Sequence, residues 1–248
     1  MIRTVLLTVF LAVYTLLLGP PMVLYAALSG SVEGLYWTGV EGVRFIIRRV
    51  GVRTRVEGLE NIPSGPCIFA SNHTSNADGP AIVGAIPRRI AILGKKSLFA
   101  IPIVGTAFRM AHFVPVDRHN RGQAAASIEV AAEKMKNGVS FLIYPEGTRS
   151  SDGRLLPFRR GAIALAIKAG VPVVPVACSG AHRVIPKKSY RITPGEVVVR
   201  FCPAIDSSQF SMARRNELAE RVHASIAAAL PPDQKPVAVT KGEASLPS

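Results

Sequence analysis

Acidic residues are scarce in this sequence: 16 Asp and Glu stand against 30 Lys and Arg, for a formal charge of +14 over 248 residues. The imbalance argues against a cationic partner and for an anionic one: nucleic acid, anionic lipid or a phosphate-bearing substrate. Aromatic residues are also few, at 6% with a single Trp. No recognisable nucleic-acid module or aromatic platform accompanies them, so nucleic acid is set aside and lipid headgroups lead.

Cysteine is sparse as well. Cys67, Cys178 and Cys202 are widely spaced in apolar runs with no CxxC or CxxH pattern. This excludes a disulfide framework or a cysteine zinc cluster and predicts buried free thiols in a reducing, cytosol-facing domain. The five histidines show no HExxH spacing, so no metal site is expected. No Gly-x-Ser-x-Gly occurs, which removes the nucleophile elbow of a serine esterase. Gly94-Lys95-Lys96-Ser97 looks like the end of a P-loop, but Arg89 stands where its first glycine belongs. No internal repeat is present.

What is abundant is apolar surface: 48% of residues are hydrophobic, high for a soluble enzyme and low for a bundle of membrane helices. A catalytic body with a membrane-attached end fits. From Thr4 to Val32 there is no charged residue or histidine, although Gly19-Pro20-Pro21 follows the 15-residue run TVLLTVFLAVYTLLL. As a helix that run spans only about 22 Å against a bilayer core of about 30 Å. The prolines are expected to break or kink it, leaving either a crossing at a bend or a hairpin dipping into one leaflet. A secretory signal peptide is the alternative, opposed by the length of the apolar run. Trp37, Val40, Phe45 and Ile46 with Arg44, Arg48 and Arg49 read as a second, amphipathic basic helix for an anionic membrane surface. Residues 1–57 are thus assigned to membrane-anchoring helices.

After Gly58, short β-rich runs alternate with helical stretches, the pattern of a mainly parallel α/β sheet. Strands are expected at Cys67–Ala70, Arg89–Leu93, Phe113–Val116, Val139–Tyr144, Val173–Ala177 and Val197–Phe201. Helices are expected at Gln123–Lys136, Arg159–Lys168 and Asn216–Leu230, the first two closed by Gly138 and Gly170. This bounds a catalytic domain at 58–230, with a disordered tail over 231–248.

The run CIFA leads into Ser71-Asn72-His73-Thr74-Ser75-Asn76-Ala77-Asp78, a polar loop at a strand end, where α/β proteins place ligands. His73 suits a general base, and Asp78, five residues on, could hold one imidazole nitrogen and leave the other free. By itself the pair also fits a helix cap. A second strand delivers Tyr144-Pro145-Glu146-Gly147-Thr148-Arg149, where glycine permits close approach and Arg149 can fork onto phosphate oxygens. Lys95 and Arg118 add cations near other strand ends.

In this order the stretches resemble the 1-acylglycerol-3-phosphate acyltransferases, a glycerolipid acyltransferase family. Asn72-His73 to Asp78 matches its first motif, Phe113 to Arg118 its second, Tyr144 to Arg149 its third and Val171 to Val176 its fourth. Ala111 stands where many members have glycine, and Tyr144 replaces a commoner phenylalanine. The resemblance implies a mixed, mainly parallel sheet flanked by helices, of the glycerol-3-phosphate acyltransferase type. It implies His73 and Asp78 as catalytic residues, and Lys95, Arg118, Glu146, Gly147, Thr148 and Arg149 as acceptor-binding or pocket-shaping ones. The implied partners are lysophosphatidic acid, acyl-CoA or acyl carrier protein, and an anionic phospholipid membrane. No metal or cofactor is called for, and the expected place is the cell membrane with the catalytic domain on the cytoplasmic side.

Overall fold

The computed structural model describes residues 2–117, 120–189 and 191–237. Arg118 lies outside the described residues. The chain opens with α1 (Ile2–Ser29) and α2 (Glu33–Arg49). These pack as an antiparallel hairpin: the Phe10 and Phe45 rings lie 5.1 Å apart and Tyr14 Oη donates to Thr38 O at 2.9 Å. Gly42 makes the close approach possible, since a Cβ there would fall 2.6 Å from the Tyr14 ring.

The proline pair does not end the helix as expected, because α1 runs through Pro20 and Pro21. Packing holds this stretch: a Cβ on Gly19 would lie 2.5 Å from Ile103 Cγ2, so the helix is seated against the body where its hydrogen bonding is weakest. Leu7–Ser29 is long and apolar enough to cross a membrane, and its most apolar stretch is not buried in the protein.

The sheet begins earlier than expected. β1 (Val52–Glu57) lies inside the span assigned to the anchor, yet pairs in parallel with β7 (Gly195–Phe201). The catalytic body therefore starts at Val52 rather than residue 58. β1 is an edge strand carrying Arg53, Arg55 and Glu57, so its sequence lacks the apolar run that marks a buried strand.

Between these come β2 (Ile68–Ser71), α3 (Asp78–Ala85), β3 (Ala91–Lys95), α4 (Val104–Met110), β4 (Val114–Val116), α5 (Arg121–Lys136), β5 (Phe141–Ile143), α6 (Arg160–Ala169), β6 (Val173–Ser179) and α7 (Ala181–Val184); α8 (Arg215–Ala229) follows β7. The strand order is β1-β7-β6-β2-β5-β3-β4. Every neighbouring pair is parallel except β6 and β7. The sheet is thus mixed and mainly parallel. α5 starts on an Asn120 side chain that accepts from Gln123 N, and α6 stops at Gly170, whose φ of 65° is left-handed.

Alternation along the central strands divides the core in two. Ile68, Ala70, Phe141, Ile143, Val173 and Ala177 face α5, α6 and α8. Phe69, Leu142, Val174, Val176 and Cys178 face the opposite layer, which holds α3 and α7. With both faces covered, β2, β5 and β6 are buried nearly throughout and their ends can present polar loops on a rigid base.

The expected disordered tail is ordered where it begins. Pro232–Gln234 forms a short 3-10 turn, and Gln234 is buried. Its side chain accepts from Gly180 N at 3.0 Å and donates to Gly153 O at 3.2 Å, while its carbonyl accepts from Leu155 N. These bonds satisfy loop groups that would otherwise be stranded, a role composition does not reveal. Residues 238–248 lie outside the described residues.

Candidate active site

β2 ends at Ser71 between β5 and β6, and the next residues turn over the end of the sheet. Asn72 ties that turn to β6: its Nδ2 donates to Cys178 O and its Oδ1 accepts from Cys178 N, both at 2.8 Å. His73 follows with its backbone held at both ends. Its N–H donates to Glu146 Oε1 at 2.8 Å, and its carbonyl accepts from Ser150 N at 2.7 Å. Its ring stacks on Tyr144, with centroids 3.9 Å apart and planes 19° from parallel.

Asp78 opens α3 and is fully buried. Its Oδ2 accepts from Thr74 N at 2.6 Å and Ser75 N at 2.8 Å, and lies 2.9 Å from His73 Nδ1. Oδ1 accepts from Thr74 Oγ1 at 3.3 Å and from Cys178 Sγ at 3.6 Å. Because the carboxylate is surrounded by donors at a helix N-terminus, Nδ1 is assigned as the protonated nitrogen. Nε2 then keeps its lone pair, on a side chain that is 15% exposed. A fixed, partly open imidazole of this kind can take a proton from a bound hydroxyl.

Glu146 lies behind the His73 loop. It is buried, and it props the His73 backbone from below. Burial pushes its carboxyl up to about 8, with the nearby Asp78 charge adding to the rise and the backbone N–H groups of His73 and Leu156 opposing it. Gly147 turns the chain at a φ of 70°, and a Cβ there would lie 2.6 Å from Arg159 Nε. Thr148 is exposed beyond it. Arg149 Nη1 donates to Asn76 Oδ1 at 2.9 Å, linking the two motif loops.

The structure therefore gathers His73, Asp78, Glu146, Gly147, Thr148 and Arg149 in two touching loops. Lys95 is exposed at the end of β3, two strands from β2 at the same end of the sheet. Sequence reasoning missed Lys187, whose Nζ donates to Arg149 O, and Arg159, which lies across Gly147. Lys187 had a signal, since Ile185-Pro186-Lys187 follows the fourth motif. Arg159 had none.

A family model described as acyltransferase matches residues 53–179. The 1-acyl-sn-glycerol-3-phosphate acyltransferase of Cocos nucifera is 34% identical over 200 residues, covering 80% of this chain and 64% of that protein. The enzyme of the same name from Limnanthes alba is 30% identical over 196 residues, covering 79% and 69%. The chain therefore spans about two thirds of the length of these relatives. The crystal structure of the 1-acyl-sn-glycerophosphate (LPA) acyltransferase PlsC from Thermotoga maritima superposes with a TM-score of 0.72 at 32% identity, over 90% of this chain and 96% of that one. The matched span runs from β1 to the end of β6 and holds both motif loops, and by that match this chain belongs to the acyltransferase family.

Proposed function

We propose that this chain is a 1-acylglycerol-3-phosphate O-acyltransferase. It moves a fatty acyl group from acyl-CoA or acyl carrier protein to the sn-2 hydroxyl of lysophosphatidic acid, giving phosphatidic acid in phospholipid biosynthesis. The observation that carries the reading is the His73 Nδ1 to Asp78 Oδ2 bond of 2.9 Å, made by a fully buried carboxylate beneath a partly open imidazole.

In this mechanism His73 Nε2 takes the hydroxyl proton as the oxygen attacks the thioester carbonyl. The tetrahedral intermediate collapses, the C–S bond breaks, and the imidazolium returns the proton to the thiolate. General-base help of this kind is worth about 10²- to 10⁴-fold, and positioning supplies further acceleration. An acyl-enzyme through cysteine is opposed by burial, which pushes the thiol of Cys178 well up, with the Asp78 charge adding to it. The acceptor phosphate falls to Arg149 and Lys187 at the loop mouth, with Lys95 and Arg118 as further cations and Gly147 and Thr148 shaping the turn.

The enzyme works at the cell membrane with its catalytic domain on the cytoplasmic side, where soluble thioester donors are found. α1 offers an apolar face, and α2, with Glu33, Glu41 and its arginines, is too charged for a hydrocarbon core. The hairpin thus suits an interface.

An acceptor panel assayed with both donors tests the proposal. Lysophosphatidic acid should be acylated faster than lyso-phosphatidylglycerol or lyso-aminolipids. Preference for another lysolipid would reassign the acceptor, and salt-dependent DNA binding without thiol release would overturn the enzymatic reading.

A further inference from the structure

A cavity of about 760 Å³ lies where the end of α2, the start of β1 and α3 meet. Arg44, Arg48 and Arg53 line it together with apolar residues such as Ile47, Pro80 and Ala81, and no acidic residue does. Arg44 is already built into the wall. Its Nε donates to Gly84 O at 3.1 Å, it pairs with Glu41, and it lies over the Trp37 ring. Arg48 and Arg53 are exposed, and among the described residues their guanidinium groups make no hydrogen bond or ion pair within the chain. Two unpaired cations on a cavity wall, with a third held in place, repel one another until an anion with several acceptor oxygens enters.

The position of the cavity indicates where that anion comes from. The second half of α2 also packs on the first half of α1, through Phe10 and Phe45. Around that contact Val5, Val9 and Phe45 stay 59%, 55% and 40% exposed. Cations and outward apolar side chains on one hairpin match a phosphate with acyl chains attached. The cavity flanks α3 rather than the His73 loop, and His73, Glu146 and Arg149 do not line it.

We propose that this cavity binds the phosphate of an anionic phospholipid headgroup and so holds the catalytic body against the leaflet. Neither His73 nor Asp78 lines the site, and the proposal does not depend on the acyl-transfer reading, so its test can be run on the His73→Ala protein.

The test uses the full chain with vesicles of phosphatidylcholine alone or mixed with phosphatidylglycerol. Near an anionic surface each arginine contributes about 1 kcal/mol, so Arg48→Ala/Arg53→Ala should bind the mixed vesicles roughly 30-fold more weakly. Binding to pure phosphatidylcholine should not change. Arg214→Ala/Arg215→Ala, of equal charge change at the start of α8, should leave both unaffected. Where α1 alone makes vesicle binding too tight to resolve, monomeric short-chain phosphatidylglycerol titrated into detergent-solubilised protein gives the answer: saturable binding, lost in Arg48→Ala/Arg53→Ala. Equal weakening in the two double variants, no weakening in either, or displacement of the lipid by coenzyme A would overturn the assignment.

Discussion

The His73 corner and the basic cavity beside α3 are opposite solutions to handling charge. At the corner, Asp78 is completely buried and takes hydrogen bonds from two backbone N–H groups, a hydroxyl, a thiol and an imidazole. In the cavity, Arg48 and Arg53 are exposed and have no partner among the described residues. A reacting group must be held within a fraction of an ångström, so its supports are internal and fully used. A group that meets a lipid surface gains from long-range attraction and keeps its rotamer freedom until contact. The buried supports of the corner should therefore respond to mutation in rate and stability together, the partly open His73 ring in rate, and the cavity in binding alone.

Asp78→Ala should give the largest combined effect. It leaves Thr74 N and Ser75 N as buried donors without an acceptor, at about 1–3 kcal/mol each, and frees the imidazole to rotate. Turnover should fall about 10²- to 10⁴-fold and chemical denaturation should shift to lower denaturant. A variant with wild-type stability would show that the corner is less committed than its hydrogen bonds imply.

Glu146→Gln separates support from chemistry. The carboxyl sits at about 8 in the folded protein against 4.5 when exposed. The folded state therefore binds the proton more tightly, and this contribution is complete below about pH 4.5 and lost progressively as pH rises to about 8. The full loss is at most about 5 kcal/mol. Glutamine can still accept the His73 N–H and does not titrate. The stability gap should move in favour of Glu146→Gln between mildly acidic and mildly alkaline denaturation series. A gap independent of pH would contradict the burial argument.

Arg149→Ala should raise the acceptor KM roughly 10- to 100-fold, as loss of a charged hydrogen bond of about 1.5–3 kcal/mol implies. A fall in kcat at unchanged KM would move Arg149 to the transition state. Gly147→Ala should be mildest. The φ of 70° costs a side chain about 1–2 kcal/mol, while the flexible Arg159 can shift away, so a modest drop in Tm is expected with the acceptor preference kept.

These contrasts also explain what could be read in advance. β2, β5 and β6 were legible because strands buried on both faces are continuous apolar runs; β2 and β5 each end in a motif loop, and β6 carries the fourth motif in the strand itself. β1 was not, because an edge strand with alternating arginines looks like a basic linker. The spacing of His73 and Asp78 allowed the pairing, since five residues carry the chain from strand end to first helical turn, but it allowed a helix cap as well, and the resemblance to the family decided between them. The support from Glu146 was not: a glutamate in a polar turn reads as a ligand contact, and only burial shows it bonded to a backbone N–H 73 residues away. Lys187 reaches the Tyr144–Arg149 loop, and Gln234 reaches Gly153 and Gly180, at separations where periodicity carries no information. The proline pair does not end α1, where local propensity yields to the packing of Gly19 on Ile103.

The most direct test of the account is thiol release from acyl-CoA or acyl carrier protein with lysophosphatidic acid as acceptor, comparing the wild-type protein with His73→Ala in parallel with denaturation curves. The account predicts that His73→Ala unfolds like the wild type, because the ring is partly open and the buried Asp78 keeps its other donors, while transfer falls at least about 100-fold. A stably folded His73→Ala protein with near-normal turnover would contradict it.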